Sequence, residues 1–115
     1  DYSKLFLLGY SQGACLALDA GLTYSKKIGG IIGFKGHINM DIDDHLGIKQ
    51  DIWVTHGKGD DTIGFEVAEE YYKKYSKLGY DITFFKQDKK VNHDANSGIR
   101  EQIKNLEPWL LKNCN

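Results

Sequence analysis

Lys4-Leu5-Phe6-Leu7-Leu8-Gly9-Tyr10-Ser11-Gln12-Gly13-Ala14-Cys15-Leu16-Ala17-Leu18 is the stretch from which the fold is read. Lys4 to Leu8 is an apolar run that stops at Gly9, as a strand buried in a parallel sheet does. From about Gln12 to Tyr24, Ala14, Cys15, Leu16, Ala17, Leu18, Ala20 and Leu22 lie almost all round a helical projection. That pattern predicts a helix packed closely under the sheet, its small residues permitting close approach. Between the two, Gly9-Tyr10-Ser11-Gln12-Gly13 matches G-x-S-x-G at a strand-to-helix turn. In such an elbow the serine adopts a strained backbone that lifts its hydroxyl off the sheet. Gly9 and Gly13 are expected where a Cβ would strike neighbouring backbone. The Gln12 N–H, at the helix N-terminus, is then a candidate oxyanion donor. The plain alternative is a serine N-cap between two glycines.

Working outward, Gly29-Gly30-Ile31-Ile32-Gly33-Phe34 and Asp51-Ile52-Trp53-Val54-Thr55-His56 read as two further buried strands. Residues from Lys35 to Gln50 show no clean period and are expected to be mostly loop. Phe65, Ala68, Tyr72 and Tyr75 recur at helical spacing, Leu78 continues the face, and Gly79 is placed as a C-terminal stop. Tyr80-Asp81-Ile82-Thr83-Phe84-Phe85 is a fourth strand. Ile99, Ile103, Leu106 and Leu110 mark a last amphipathic helix, which Pro108 should break or kink. The alternation predicts an α/β fold with a four-stranded parallel sheet, right-handed crossovers and flanking helices. Ligands of such sheets sit beyond the carboxyl ends of the strands. Functional side chains are therefore expected after Leu8, Phe34, His56 and Phe85.

A serine hydroxyl needs a base, and the base an orienting acid, to be a nucleophile at neutral pH. After the third strand comes His56-Gly57-Lys58-Gly59-Asp60-Asp61-Thr62-Ile63, and after the fourth Val91-Asn92-His93-Asp94. An acid beyond one strand and a histidine beyond the next share the sheet edge of Ser11, in the order serine, acid, histidine.

Composition narrows the classes. The chain has 115 residues with Lys+Arg 15 against Asp+Glu 16, a formal net charge of −1, so it lacks the clustered excess of cations that nucleic acid demands. Its apolar runs are too short to cross a bilayer, and Asp1-Tyr2-Ser3-Lys4 lacks the basic-then-apolar order of a signal peptide. Cys15 and Cys114 have neither disulfide-framework nor metal-ligand spacing, which fits a reducing, cytoplasmic setting. Cys15, among small apolar residues, reads as a buried core thiol.

On these segments the chain resembles the C-terminal half of an α/β-hydrolase of the phospholipase/carboxylesterase family, which includes the acyl-protein thioesterases. The likeness runs from about Lys4 to Leu111. The family pattern G-F-S-Q-G-G stands here as Gly9-Tyr10-Ser11-Gln12-Gly13-Ala14, and H-G-x-x-D-x-x-V as His56-Gly57-Lys58-Gly59-Asp60-Asp61-Thr62-Ile63. The resemblance implies Ser11 as nucleophile, Asp60 as triad acid and His93 as general base. It also implies an acyl ester or thioester substrate and needs no metal or organic cofactor. Departures are Asn92 in place of a small or apolar residue, Asp94 after the histidine, Ala14 for the second glycine, and Asp61 for a proline. Asp61 sets two adjacent acids in competition, and motif register favours Asp60.

The resemblance further implies that residues 1–115 are a partial domain. The family's strands before the elbow, and the loop giving a second oxyanion N–H, are missing, which leaves the first strand with an unpaired apolar edge. Either the missing N-terminal half or a partner chain is expected to complete the sheet. A non-catalytic hydrolase-like interaction or structural module, completed by a partner chain, is the alternative.

Other features read more plainly. His56 is expected to pack or hydrogen-bond at the sheet edge, since the base must follow the acid in this fold. Asp41-Ile42-Asp43-Asp44-His45 lacks the spacing and closing glutamate of a calcium loop and reads as a solvated acidic loop. His37 could line a substrate entrance. Tyr71, Tyr72, Tyr75, Trp53 and Trp109 read as packing residues.

Overall fold

The structure, a computed structural model, describes residues 1–39 and 48–114. Asp41 to His45, read above as an acidic loop, lie outside the described residues. Four strands, β1 (Phe6–Tyr10), β2 (Gly30–Phe34), β3 (Ile52–Gly57) and β4 (Ile82–Gln87), form one parallel sheet in the order β1-β2-β3-β4. Helix α1 (Gln12–Leu22) joins β1 to β2, α2 (Phe65–Lys77) joins β3 to β4, and α3 (Ile99–Asn113) follows β4. A 3₁₀ turn, Tyr2–Lys4, precedes β1.

The continuous apolar character of β2 and β3 has a direct cause, since both strands are central and covered on both faces. Alternate side chains feed two cores. Leu7, Ile31, Ile52, Val54 and Phe84 pack with Leu18, Leu22, Ala68, Tyr72 and Tyr75 of α1 and α2. Phe6, Ile32, Phe34, Trp53 and Phe85 pack with Leu106, Trp109 and Leu110 of α3. Trp53, fully buried, satisfies its indole N–H on Asn105 Oδ1 at 2.9 Å. Among the described residues one helix, α3, covers the second core, which reaches edge strand β1 at Phe6 but leaves Leu8 outside. Leu8 of β1 consequently stands 62% exposed, beside a partly exposed Leu5 and Tyr10.

Register brings the strand ends level. Tyr10 lies opposite Phe34, Phe34 opposite Thr55, and Gly57 opposite Gln87, so the loops after all four strands open onto one edge.

Several boundaries differ from the sequence reading. β1 does not stop at Gly9 but runs through Tyr10, because Gly9 and Tyr10 still pair with Gly33 and Phe34. β4 begins and ends two residues later than Tyr80–Phe85, its last pair being Gln87 with Gly57. Pro108 does not break α3, which continues to Asn113. Pro108 and Lys104 are both exposed, so water can take the Lys104 carbonyl that a proline four residues on leaves without an N–H. α2 ends as its sequence predicts, with Gly79 at φ +97° just beyond the capping Leu78.

Candidate active site

The turn from β1 into α1 is sharp because Ser11 occupies φ 58°, ψ −119°, a region that a residue with a side chain rarely adopts. Its N–H is held by the Phe34 carbonyl at 2.8 Å, and its own carbonyl accepts from Ala14 and Cys15 at 3.0 and 3.1 Å. Gly9 is required, since a Cβ there would sit 2.1 Å from the Gly13 carbonyl oxygen. The expectation for Gly13 is overturned. Among the described residues a Cβ on Gly13 meets nothing within 4 Å, because its outer side faces a cavity rather than neighbouring backbone.

Ser11 does stand at the N-cap position, yet its hydroxyl caps nothing. The Oγ lies instead 2.6 Å from His93 Nε2, and His93 Nδ1 lies 2.7 Å from Asp60 Oδ2. A carboxylate only accepts, so Nδ1 carries the proton, Nε2 is the bare nitrogen, and the serine hydroxyl donates to it. The three residues singled out in the sequence thus form one continuous hydrogen-bonded chain across the strand ends.

Asp60 is buried, its Oδ1 accepting the N–H groups of Thr62 and Ile63 at 3.0 and 2.9 Å. Burial pushes its carboxyl up, but the bonds from His93, Ile63 and Thr62 more than offset this and hold it below the usual aspartate value. Asp61, its rival in sequence, is exposed. The acid's turn is pressed against the histidine's loop. Lys58 N–H donates to the Gln87 carbonyl and Gly59 N–H to that of Val91, an approach so close that a Cβ on Gly59 would lie 2.2 Å from the Lys89 oxygen.

His56 is fully buried beneath Asp60 and packs against Phe65. Its Nε2 donates to the Ile63 carbonyl at 2.7 Å and lies 3.4 Å from Asp60 Oδ2. Burial lowers its pKa, only partly offset by the Ile63 bond and the Asp60 charge, so it remains neutral where an ordinary histidine begins to charge.

Asn92 and Asp94, the departures flanking His93, build its turn. Asp94 N–H donates to Asn92 Oδ1 at 2.9 Å and Asn92 N–H to Ser97 Oγ at 3.0 Å. Sequence reasoning missed two further contacts. Tyr10 donates its hydroxyl to the His93 carbonyl at 2.6 Å and lays its ring 5.6 Å from the imidazole. Lys35, also at positive φ and fully buried, donates its ammonium to the carbonyls of Asn92, Asp94 and Ser97. A polar group directly before the serine hints at the first. A lone lysine after a strand gives no such hint.

In front of Ser11 a cavity of about 820 Å³ is lined by Tyr10, Gln12, Leu16, His37, Asn39 and Ile63 among others. His37, stacked on Tyr71 at 5.6 Å, stands in its wall. Gln12 opens α1 and, with Gly13, lines the same space at the positive end of the helix dipole.

The sequence profile of the phospholipase/carboxylesterase family matches residues 1–110. Acyl-protein thioesterase 1 of Aspergillus fumigatus is 26% identical over 96% of this chain and 47% of its own length. A probable carboxylesterase, SOBER1-like, of Arabidopsis thaliana is 31% identical over 93% of this chain and 41% of its own. The crystal structure of Arabidopsis thaliana SOBER1 superposes with a TM-score of 0.88 at 22% identity, covering all of this chain and 55% of that one. The chain therefore spans about half the length of the curated relatives it matches.

Proposed function

The chain belongs to the phospholipase/carboxylesterase family, and we propose that it carries the reacting centre of a serine hydrolase that cleaves carboxylic esters or thioesters. The observation that carries this reading is the unbroken path from the Ser11 hydroxyl through the His93 imidazole to the Asp60 carboxylate, opening on a cavity. Ser11 attacks the acyl carbonyl while His93 Nε2 takes its proton. The imidazolium so formed is held by Asp60, which stays ionised. Collapse of the tetrahedral intermediate expels the alcohol or thiol, to which His93 returns the proton. Water then releases the acyl group from Ser11 by the same steps. The Gln12 N–H stabilises the oxyanion. A second donor, and cover for the exposed Leu8 on β1 and Leu5 just before it, are assigned to the part of the fold that this chain does not span. The names of the relatives, thioesterase and carboxylesterase, support an acyl substrate. Two free cysteines, Cys15 and Cys114, support a reducing compartment such as the cytoplasm.

The test is hydrolysis of a short-chain nitrophenyl ester and its thioester counterpart by the full-length protein and its Ser11→Ala variant. Turnover by the wild type that disappears in a folded Ser11→Ala variant is expected. Equal turnover in both would refute the assignment. A folded wild type inert toward both substrates and toward serine-directed probes would favour a non-catalytic module.

A further inference from the structure

Lysine is among the residues least often fully buried, and then only when its charge is paired. Lys35 is 0% exposed, and its ammonium meets no carboxylate in ion-pair contact among the described residues. It is surrounded instead by main-chain oxygens: Asn92 at 2.7 Å, Ser97 at 2.9 Å, and Asp94. An ammonium has three N–H donors and finds three acceptors here, so the group is saturated. Two of those acceptors flank His93 directly. The contacts reach across 57 to 62 residues of sequence, so they tie the loop to a distant part of the chain.

The other end of the tie is equally fixed. Lys35 sits at φ 60°, a conformation a side-chain-bearing residue adopts at a cost, and its N–H is anchored on the Thr55 carbonyl at 3.0 Å. Its neighbours on either side are held too. The Phe34 carbonyl accepts the Ser11 N–H at 2.8 Å, and the Gly36 carbonyl accepts the Tyr72 hydroxyl at 2.8 Å. The end of β2 therefore grips the serine by its backbone and the histidine loop by a side chain.

We propose that Lys35 is a positioning residue, whose ammonium braces the carbonyls on both sides of His93 to the strand end that holds Ser11 and thereby sets the imidazole against the hydroxyl. This rests on the reading of Ser11 and His93 given above. Burial pushes the Lys35 amine below the usual lysine value, while the charges of Asp60 and Asp94 act to keep its proton on.

The experiment uses the full-length protein with Lys35→Met and Lys35→Ala. It reads the rate of Ser11 labelling by a fluorophosphonate and the low-field proton resonance of His93 Nδ1–H. With the brace gone, a folded Lys35→Met variant should label about 100-fold more slowly, the scale of an ångström-sized misplacement, and its resonance should shift or broaden. In Lys35→Ala, ethylammonium should restore both readouts saturably, whereas tetramethylammonium, a cation without N–H donors, should not. Wild-type labelling with an unchanged resonance in Lys35→Met would overturn the proposal. So would slow labelling with an unchanged resonance, or a loss that ethylammonium cannot rescue. If the variants fold only when ethylammonium is present, or with neither cation, Lys35 is a general structural residue and the proposal falls. Should the wild type itself resist labelling, the hydrolase reading fails, and the His93 resonance alone decides the brace.

Discussion

Replacing Asp60 by asparagine changes one atom and should reverse the polarity of the whole site. Asp60 Oδ1 is bound by two N–H groups, of Thr62 and Ile63, so an asparagine must keep its carbonyl oxygen there. Its NH₂ then falls where Oδ2 stood, 2.7 Å from His93 Nδ1. Two donors cannot face each other. His93 relieves the clash by moving its proton to Nε2, and Nε2–H then points at Ser11 Oγ, where it cannot accept the serine proton. The fold keeps its hydrogen bonds, but the base is lost. The expected penalty is about 10⁴-fold in turnover, the size seen when a triad histidine is held in the wrong tautomer. At about 1.36 kcal/mol per factor of ten, that is about 5.4 kcal/mol of barrier. Initial rates of ester hydrolysis in the full-length protein, with thermal unfolding as a check on integrity, measure it. Asp61→Asn, altering an exposed neighbour, should change neither quantity. A folded Asp60→Asn protein within tenfold of wild-type turnover would refute the reasoning.

Three more expectations concern stability. Gly9→Ala drives a methyl into the immovable Gly13 backbone and should cost about 3 kcal/mol, whereas Gly13→Ala, open to solvent, should stay within about 1 kcal/mol of wild type; urea denaturation separates them. Tyr72→Phe leaves the Gly36 carbonyl without its buried partner and should cost about 1–3 kcal/mol on the same assay. Stability should also fall as pH drops below the ordinary histidine value of 6.5, because His56 is lowered in the fold and the unfolded chain then binds the extra proton. It should fall again below the ordinary aspartate value of 3.8, where the unfolded chain protonates before the lowered Asp60. An NMR titration placing His56 at or above 6.5 would contradict the first part.

The fold was legible because parallel strands covered on both faces must be apolar throughout, and Ile31-Ile32 and Ile52-Trp53-Val54 are. Strand ends were less so, since pairing carried β1 past Gly9 and β4 to the polar Gln87, beyond the apolar signal. An acid and a histidine could be placed beside Ser11 because topology delivers loops after successive parallel strands to one edge, whereas the choice of Asp60 over Asp61 rested on motif register. Lys35 could not. Its burial depends on carbonyls supplied by a turn about 60 residues later, and a lysine in isolation reads as solvent-facing. Gly13 misled for the opposite reason, because spacing shows where a glycine stands and not which way a missing Cβ would point. Pro108 was read from intrachain chemistry, whereas exposure of Lys104 lets solvent relieve the loss.

The central claim is that Ser11 is made nucleophilic by His93 and Asp60. Its most direct test is intact-mass analysis of the full-length protein after exposure to a fluorophosphonate probe, beside Ser11→Ala and Asp60→Asn. The account predicts one adduct on the wild type, mapped to Ser11, absent from Ser11→Ala and formed far more slowly on Asp60→Asn. An adduct that persists in Ser11→Ala, or no adduct on the folded wild type, would contradict it.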